Sequence, residues 1–437
     1  MQSIIMKQLN VNLMHPVEQI NLIISKIYRS GMTTTSGGNI SIRDDNGDIW
    51  ITPSAVDKGS LTTKDIVLVK KDGTIFGQHK PSSEFPFHKA IYEARPELNA
   101  VIHAHPPALV AFSITHTIMN TNSVPHYSDI CGNIGFAPYG TPGSQDLGRK
   151  IADEFKNKSH KAVIMENHGV VIGGTDLKDA YKLFETLEYC SRTIIKAQQL
   201  GELSYLTKNQ LNEYVNYFPE IPSSFEKVKY SSKERALRSD IVKIIHRACD
   251  QGLMISSYGT VSARFDDDDF LITSHNLFRL DADLDDIVQI KQGNAEVGKI
   301  PSKYADLHQR IYQLNPHINS IICSMPVNLM AYAVSRTKFD VRTIPESWIF
   351  LQDVPSIPID IVYNNIDETA RLFNNNRVII VENECVIATG DKLLNAFDYL
   401  EVAEFTANSL IMAASIGKLE PIGNEEIEDL RIAFNIK

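Results

Sequence analysis

Two histidines separated by one residue follow a short apolar run at residues 100–102, and they are His103 and His105. Alternate residues of a strand point to the same face, so both imidazoles could bind one metal ion if this segment is a strand. A histidine pair of this kind also occurs as surface or hydrogen-bonded histidines. A third histidine, His168, lies where a second apolar run breaks into a turn. Three protein ligands leave zinc an open position, which is typical of a catalytic site.

An acidic residue, Glu84, stands directly before a predicted helix, in the segment that runs from Lys80 to His88. In a structural interpretation it belongs to an ordinary N-terminal capping arrangement, because serine followed by glutamate is common there. In a functional interpretation it is a general acid/base beside the metal, with its pKa raised toward neutrality by a pocket of low polarity.

A turn of small residues at positions 35–39 could bind an anion through its backbone amides. A Gly-Gly turn alone indicates only a turn. Hydroxyl groups at Ser54, Ser82 and Ser83 strengthen the functional interpretation, because hydroxyls and amides can hold a phosphate without a cationic patch.

The composition restricts the class of protein. The chain has 437 residues, 43% of them hydrophobic, which predicts two domains with ordinary cores. A net charge of −10 argues against a nucleic-acid partner. The five scattered cysteines lack CxxC spacing, the N-terminus lacks a signal-peptide pattern, and no apolar run approaches 18 residues. We therefore expect a soluble cytoplasmic protein with no membrane partner.

The elements that must position these residues occur twice in the sequence. A helix over residues 16–30, short strands ending near Ile51 and Val69, a helix near 87–94 and a strand at 100–102 recur in the same order. Segment 31–43 matches 252–264, and His88 matches His308 at an offset of 220 positions. We expect two mixed α/β copies, 1–218 and 233–437, joined by a Pro- and Ser-containing linker at 219–232.

Six stretches together resemble the class II aldolase/adducin family and cover most of residues 17–200: SGGNISIR, ITPSAVDKGSL, KPSSEFPFH, RPELNAVIHAH, FAPYGTPGS and ENHGVVIGG. The resemblance is strongest to aldolases of the fuculose-phosphate type. It implies two tandem α/β/α domains, each with a central, mostly antiparallel sheet flanked by helices. It also implies a zinc-dependent lyase of carbohydrate metabolism that cleaves a ketose 1-phosphate to dihydroxyacetone phosphate and a short aldehyde.

The family's functional residues carry over by position. The resemblance makes His103, His105 and His168 the ligands of one zinc ion per chain and makes Glu84 the acid/base. It implies a phosphate site at Gly38, Asn39, Ser54, Ser82 and Ser83. The family's usual glycine is replaced by Ala55 beside that site. A tyrosine donated by a neighbouring subunit corresponds to Tyr127 only after a small shift, since an ungapped count gives Val124.

The second copy lacks these residues. Tyr304 stands at the position of Glu84, and the three histidines become Cys323, Met325 and Glu384. We expect no zinc there and a structural role for this copy, in a homo-oligomer of two chains that forms a pseudo-tetramer.

Three other functions stay open for the chain. The same superfamily contains sugar-acid phosphate decarboxylases and pentulose-phosphate epimerases, of which the epimerases carry aspartate in place of Glu84. An adducin-like interaction module is the third, although adducin heads lack the zinc ligands.

Overall fold

The computed structural model describes residues 11–227, 229–266 and 269–436, which form two compact units. The first unit takes the chain up to Thr121 together with Tyr127–Arg192. The second takes Asn122–His126 and the chain from Thr193 onward. None of the described helices combines the length and the apolar character that crossing a membrane requires.

The first unit is built on one eight-stranded sheet in the order β4-β3-β2-β1-β5-β8-β7-β6. Its strands are β1 (Asn39–Arg43), β2 (Ile49–Ile51), β3 (Val67–Val69), β4 (Ile75–Phe76), β5 (Ala100–Ala104), β6 (Asn133–Ala137), β7 (His160–Met165) and β8 (Gly169–Gly174). Neighbouring strands of this sheet are antiparallel, except that β6 and β7 are parallel. The expected mostly antiparallel sheet is therefore confirmed.

Six helices accompany this sheet in the chain. They are α1 (Pro16–Arg29), α2 (Phe85–Ala94), α3 (Pro107–Ile114), α4 (Pro125–Cys131), α5 (Gln145–Phe155) and α6 (Leu177–Leu200). Helix α1 buries isoleucines 20, 23, 24 and 27, the spacing of one helical face. The predicted second helix begins two residues early, at Phe85, because Pro86 in its first turn has the backbone angle that a helix start requires.

The core of the first unit lies between the sheet and helices α2 and α5. Phe87 and Ile91 of α2 pack with Ile151 and Phe155 of α5, and Val101 of β5 belongs to the same buried cluster. The strand that carries His103 is therefore fixed by a rigid core on which a site can be built.

The second unit repeats this topology. Its strands are β9 (Ser223–Phe225), β10 (Thr260–Arg264), β11 (Asp269–Thr273), β12 (Ile287–Lys291), β13 (Asn294–Glu296), β14 (Ser320–Ser324), β15 (Ser356–Ile357), β16 (Val378–Val381) and β17 (Cys385–Gly390). Its sheet order is β9-β13-β12-β11-β10-β14-β17-β16-β15. From β13 to β15 this order matches the first sheet strand by strand, from β4 to β6, and β9 is added at the edge beside β13. Two tandem domains of one fold are thus confirmed.

The helices of this second half complete the repeat. They are α7 (Lys208–Asn216), α8 (Ser232–Asp250), α9 (Ala305–Leu314), α10 (Val327–Ser335), α11 (Pro345–Leu351), α12 (Ile359–Asn364), α13 (Ile366–Leu372), α14 (Leu393–Ala414) and α15 (Asn424–Ala433). The segment 219–232, expected as a linker, contains β9, which pairs in parallel with β13. Short polar strands of this kind carry no strong sequence pattern, because their pairing is set by the neighbouring edge.

Candidate metal centre

Strand β5 supplies the first histidine of the centre. His103 is completely buried, and its Nδ1 lies 2.9 Å from the carbonyl oxygen of Val170 on β8. A carbonyl oxygen only accepts, so Nδ1 donates the proton and Nε2 keeps its lone pair. Such a hydrogen bond fixes both the tautomer and the ring direction of a histidine that binds metal.

Two glycines leave room for the ring of His105. A Cβ atom at Gly37 would lie 2.8 Å from His105 Nδ1, and one at Gly169 would lie 2.8 Å from the Cδ2 atom of the same ring. His168 lies in the turn between β7 and β8, where its backbone N–H donates to Ser113 Oγ at 2.8 Å. Larger residues at either glycine position would push His105 out of place.

A buried carboxylate also fixes the segment between β5 and α3, which contains His105. Glu188 of α6 accepts the backbone N–H groups of Ala108 and Leu109 at 3.4 and 3.2 Å, in the first turn of α3. Burial raises the pKa of Glu188 to about 7. The start of α3 is therefore held by a side chain from another helix, directly after the histidine pair.

The three imidazoles converge as the sequence predicts. Their potential ligand atoms lie within 4.8 Å of one another, and among the described residues they form the one such group of histidine, cysteine or acidic side chains. His103 Nε2, His105 Nε2 and His168 Nδ1 are buried without a hydrogen-bond partner in the described part of the chain. Buried polar atoms rarely stay unpaired, so their arrangement fits a bound cation.

The protonation states of the rings suit the same interpretation. Burial, followed by repulsion from the neighbouring imidazoles, lowers the pKa of His105 to about 3 and that of His168 to about 4. Both rings are neutral near pH 7, and a neutral imidazole is the form that binds metal. Three imidazoles in one place match the ligand set of catalytic zinc sites.

Glu84 faces this group of histidines. Its Oε2 lies 3.2 Å from His103 Nε2, and its Oε1 lies 3.4 Å from His168 Nε2. Glu84 occupies the N-cap position of α2, yet its side chain makes no capping hydrogen bond. The structural interpretation as a capping residue therefore does not account for where the carboxylate points.

The expectation that the pKa of Glu84 is raised is wrong. Burial alone would raise this pKa, but the electrostatic influence of the adjacent His103, together with a hydrogen bond from Asn39, outweighs it and holds the pKa below its ordinary value. The pocket around Glu84 is buried but not apolar, and donors surround the carboxylate. Glu84 is therefore ionised and starts as a proton acceptor.

The residues expected at the phosphate site lie on adjacent loops. The backbone N–H of Ser54 donates to the carbonyl oxygen of Lys80, and the backbone N–H of Ser82 donates to the carbonyl oxygen of Thr52. These two hydrogen bonds place the loop that carries Ser54 beside the loop that carries Ser82. Gly38 adopts a positive φ of 73° just before β1. The side chain of Ser83 is exposed, whereas that of Ser82 is buried.

Asn39 differs from the other residues expected to bind phosphate. Its side chain is buried and donates to Glu84 Oε2 at 2.7 Å rather than pointing to solvent. The structure thus connects Asn39 with the acidic residue beside the three imidazoles.

The sequence alone does not single out two further residues of this region, Lys58 and His88. Lys58 is buried and donates its ammonium group to the carbonyl oxygens of Pro53 and Val56, both at 3.1 Å, which holds the loop carrying Ser54. Burial lowers the pKa of Lys58. In the sequence, His88 is notable as a residue that the repeat shares with His308. Its position four residues after Glu84 also places the two residues on one face of the helix.

Tyr127, implied by resemblance to be donated to a neighbouring subunit, lies in α4 with a fully buried side chain. Tyr127 also has an interaction partner within the described part of the chain. Donation to a neighbouring subunit would require α4 to expose this buried side chain.

The corresponding place in the second unit contains a different network. Glu384 Oε1 accepts hydrogen bonds from the hydroxyl groups of Tyr304 and Tyr363, the latter at 2.8 Å. The Lys303 ammonium lies 3.2 Å from the same oxygen. Cys323 is buried, with its Sγ 3.2 Å from His308 Nε2. An internal ammonium group supplies the positive charge beside the carboxylate there, and the described residues of this unit contain no converging metal ligands.

Comparison with known proteins gives two matches to one family. The family model for the class II aldolase and adducin N-terminal domain matches residues 18–195 and 239–411. A 3-oxo-tetronate 4-phosphate decarboxylase from Haemophilus influenzae is 33% identical over 195 residues, which cover 43% of this chain and 90% of the relative. A 5-deoxy-D-ribulose 1-phosphate aldolase from Bacillus thuringiensis serovar kurstaki is 29% identical over 204 residues, covering 46% and 94%.

A third relative has another aldolase activity. An L-fuculose phosphate aldolase from Methanococcus maripaludis is 31% identical over 183 residues, which cover 42% of this chain and 92% of the relative. Each of these relatives covers less than half of this chain, as expected for a chain in which one domain occurs twice.

Proposed function

Because the chain belongs to the class II aldolase and adducin family, we propose that its first copy, residues 1–218, is a zinc-dependent lyase that breaks a carbon–carbon bond in a phosphorylated sugar. The favoured reaction is cleavage of a ketose 1-phosphate to dihydroxyacetone phosphate and a short aldehyde. One observation carries this proposal: three imidazoles converge, and the ionised Glu84 lies within 3.4 Å of two of them. That arrangement joins a metal site to a base.

The metal would be held by His103, His105 and His168. Zinc bound there would polarise the substrate oxygens beside the scissile bond and stabilise the negative charge that develops during cleavage. The fourth position of a three-ligand site is open to substrate oxygens. Val170 keeps the His103 lone pair directed to the site, as described above.

Glu84 would move the proton. Cleavage removes a proton from the hydroxyl group of the future aldehyde and adds one to the carbon that becomes part of dihydroxyacetone phosphate. Because Glu84 is ionised, it can take the first proton and then return it to that carbon, so the reaction balances without an external acid. Its buried position limits the exchange of this proton with water.

The phosphate would bind at the adjacent loops that carry Gly38, Ser54, Ser82 and Ser83. Backbone amides and hydroxyl groups can hold a phosphate dianion in a protein of net negative charge, as long as the donors are local. Lys58 would fix the shape of the loop around Ser54. Asn39, which the resemblance places in the same phosphate site, follows Gly38 directly.

A decarboxylase is the second candidate, because a relative with 33% identity is named 3-oxo-tetronate 4-phosphate decarboxylase. The same residues would serve both reactions, since each reaction leaves negative charge on a carbon next to a carbonyl group.

We further propose that the second copy, residues 233–437, is structural and that two chains supply four domains to a ring-like pseudo-tetramer.

We expect the metal-loaded protein to release dihydroxyacetone phosphate from at least one substrate in a panel of fuculose, rhamnulose, ribulose and 5-deoxyribulose 1-phosphates. A coupled reductase assay measures that product. Release of carbon dioxide from 3-oxo-tetronate 4-phosphate, without cleavage of the panel, would favour the decarboxylase. If the zinc-loaded chain gave neither product, the lyase proposal would be wrong.

A further inference from the structure

We propose that the surface formed by α11 and α14 of the second unit docks onto the first unit of another chain, and that this contact brings Glu346 to the rim of that chain's metal centre. The partner is therefore a second copy of this chain. The inference deepens the proposed function and rests on it for its effect on turnover. The contact itself is argued from the internal repeat.

The second unit already binds one segment of the first copy. Residues 122–126 stand in the first copy by sequence, yet in the structure they belong to the second unit. His126 Nε2 lies 2.8 Å from Ser257 Oγ. The Asn383 side chain donates to the carbonyl oxygen of Ser123 at 2.9 Å and is completely buried. The second unit therefore has a surface that receives this segment.

The repeat contains a second segment of the same kind. Residues 342–346 correspond to residues 122–126 at the offset of 220 positions, and Glu346 takes the place of His126. Helices α4 and α11, which begin inside these segments, both span seven residues. Three residues of the first segment are buried, whereas all five residues of the second are at least partly exposed, Glu346 among them.

The first unit has the surface that matches this second segment. Ser36 and Asn167 correspond to Ser257 and Asn383 at offsets of 221 and 216 positions. Asn167 and Asn383 both adopt a positive φ, 54° and 58°. Asn383 is completely buried, whereas Ser36 and Asn167 are exposed. One chain thus exposes both a segment and its matching surface, and two chains related by a twofold axis can cover both.

Exposed apolar groups support a protein partner for the surface of α11 and α14. Phe405 of α14 is 58% exposed, whereas Tyr189, its counterpart on α6 at the offset of 216 positions, is 5% exposed. Phe405 lines a groove of about 400 Å³. The residues that line the groove are Gln251, Leu253, Glu346, Glu401, Val402 and Phe405. An apolar groove with a polar rim is typical of a surface that binds another protein.

The correspondence also predicts where Glu346 of the partner subunit lies. It places this side chain at Ser36, the residue before Gly37. Gly37 packs so closely against the ring of His105 that a Cβ atom there would lie 2.8 Å from Nδ1. A carboxylate can accept the Ser36 hydroxyl group and hold this turn against the ring that binds metal. Glu346 is therefore a positioning residue that acts in the site of the other chain.

Chemical cross-linking tests the contact without any turnover. In Ser36→Cys/Glu346→Cys, a short bismaleimide should join two chains into a covalent dimer on a denaturing gel. The five native cysteines are buried and should not react in the folded protein. His126→Cys/Ser257→Cys is the matched control and should cross-link within one chain, because the two native side chains lie 2.8 Å apart. A control that cross-links while the first pair gives no covalent dimer, or a wild type that is monomeric by light scattering, would overturn the proposal.

Mixed dimers test whether Glu346 acts in the partner's site. Glu346→Ala should lower kcat/KM roughly 10–100-fold at unchanged zinc content, since a displacement of about 1 Å in a site can cost on the order of 100-fold. Co-expressed with Glu84→Gln under a second affinity tag, it should regain up to half of the wild-type activity. One of the two sites then has an intact Glu84 and receives an intact Glu346 from the other chain.

The same experiment separates the alternatives. Mixed dimers that are no more active than the better parent would show that Glu346 does not act across chains, and the proposed role would be wrong. If the wild type cleaves no substrate, the lyase proposal fails, and the cross-link between Ser36→Cys and Glu346→Cys still decides the contact.

Discussion

Replacing Glu84 with glutamine should lower kcat by a factor on the order of 10²–10⁴ while zinc content and unfolding temperature stay near their wild-type values. The amide keeps the size and shape of the carboxylate, so its oxygen can still accept from Asn39. It cannot take a proton from the substrate hydroxyl group. Steady-state kinetics on the best substrate, with metal analysis of the same sample, measure both effects.

Glu93 provides a matched control for this experiment. It lies on the same helix, α2, but its side chain is 68% exposed and pairs with Lys89 at 3.9 Å. Glu93→Gln should change neither kcat nor zinc content. Near-wild-type turnover in the Glu84 variant would mean that another group carries the proton, and the role proposed for Glu84 would have to be abandoned.

The double variant His103→Ala/His105→Ala should lose its metal and, with it, roughly three orders of magnitude or more in kcat/KM. A metal that stabilises developing charge contributes several kcal/mol, and each 1.4 kcal/mol corresponds to about a factor of ten in rate. One imidazole, His168, remains, and it cannot hold zinc alone at micromolar concentrations of metal. Elemental analysis after dialysis measures the loss.

The second unit again offers the control. Cys323 and Met325 occupy the positions of His103 and His105, and both are buried. The variant Cys323→Ala/Met325→Leu should keep its zinc and its activity, since these side chains lie in the copy that lacks the three imidazoles. Metal retained by the histidine variant, or lost from the control, would show that the ion binds elsewhere.

The sequence predicts the metal site well because its geometry is local. His103 and His105 share a face through strand alternation, and β5 extends to Ala104, which keeps the pair in register. The turn at His168 follows from the break in an apolar run. The repeat predicts two copies of one topology, and both sheets have that order.

What the sequence does not predict depends on distances between remote segments. The pKa of Glu84 is lowered rather than raised because histidines and Asn39 from other strands surround it, and nothing in the segment around Glu84 indicates this. The side chain of Asn39 bonds to a residue 45 positions away. Strand β9 is likewise formed only by its pairing with β13.

The number of zinc ions bound per chain distinguishes one metal centre from two, because we assign all metal chemistry to one of the two duplicated domains. The wild-type protein, purified without added chelator and saturated with zinc, should contain one tightly bound ion per chain by elemental analysis, and removal of that ion should abolish product release. A value near two would place a second centre in the copy that has Cys323, Met325 and Glu384, and a value near zero would contradict the metal centre at His103, His105 and His168.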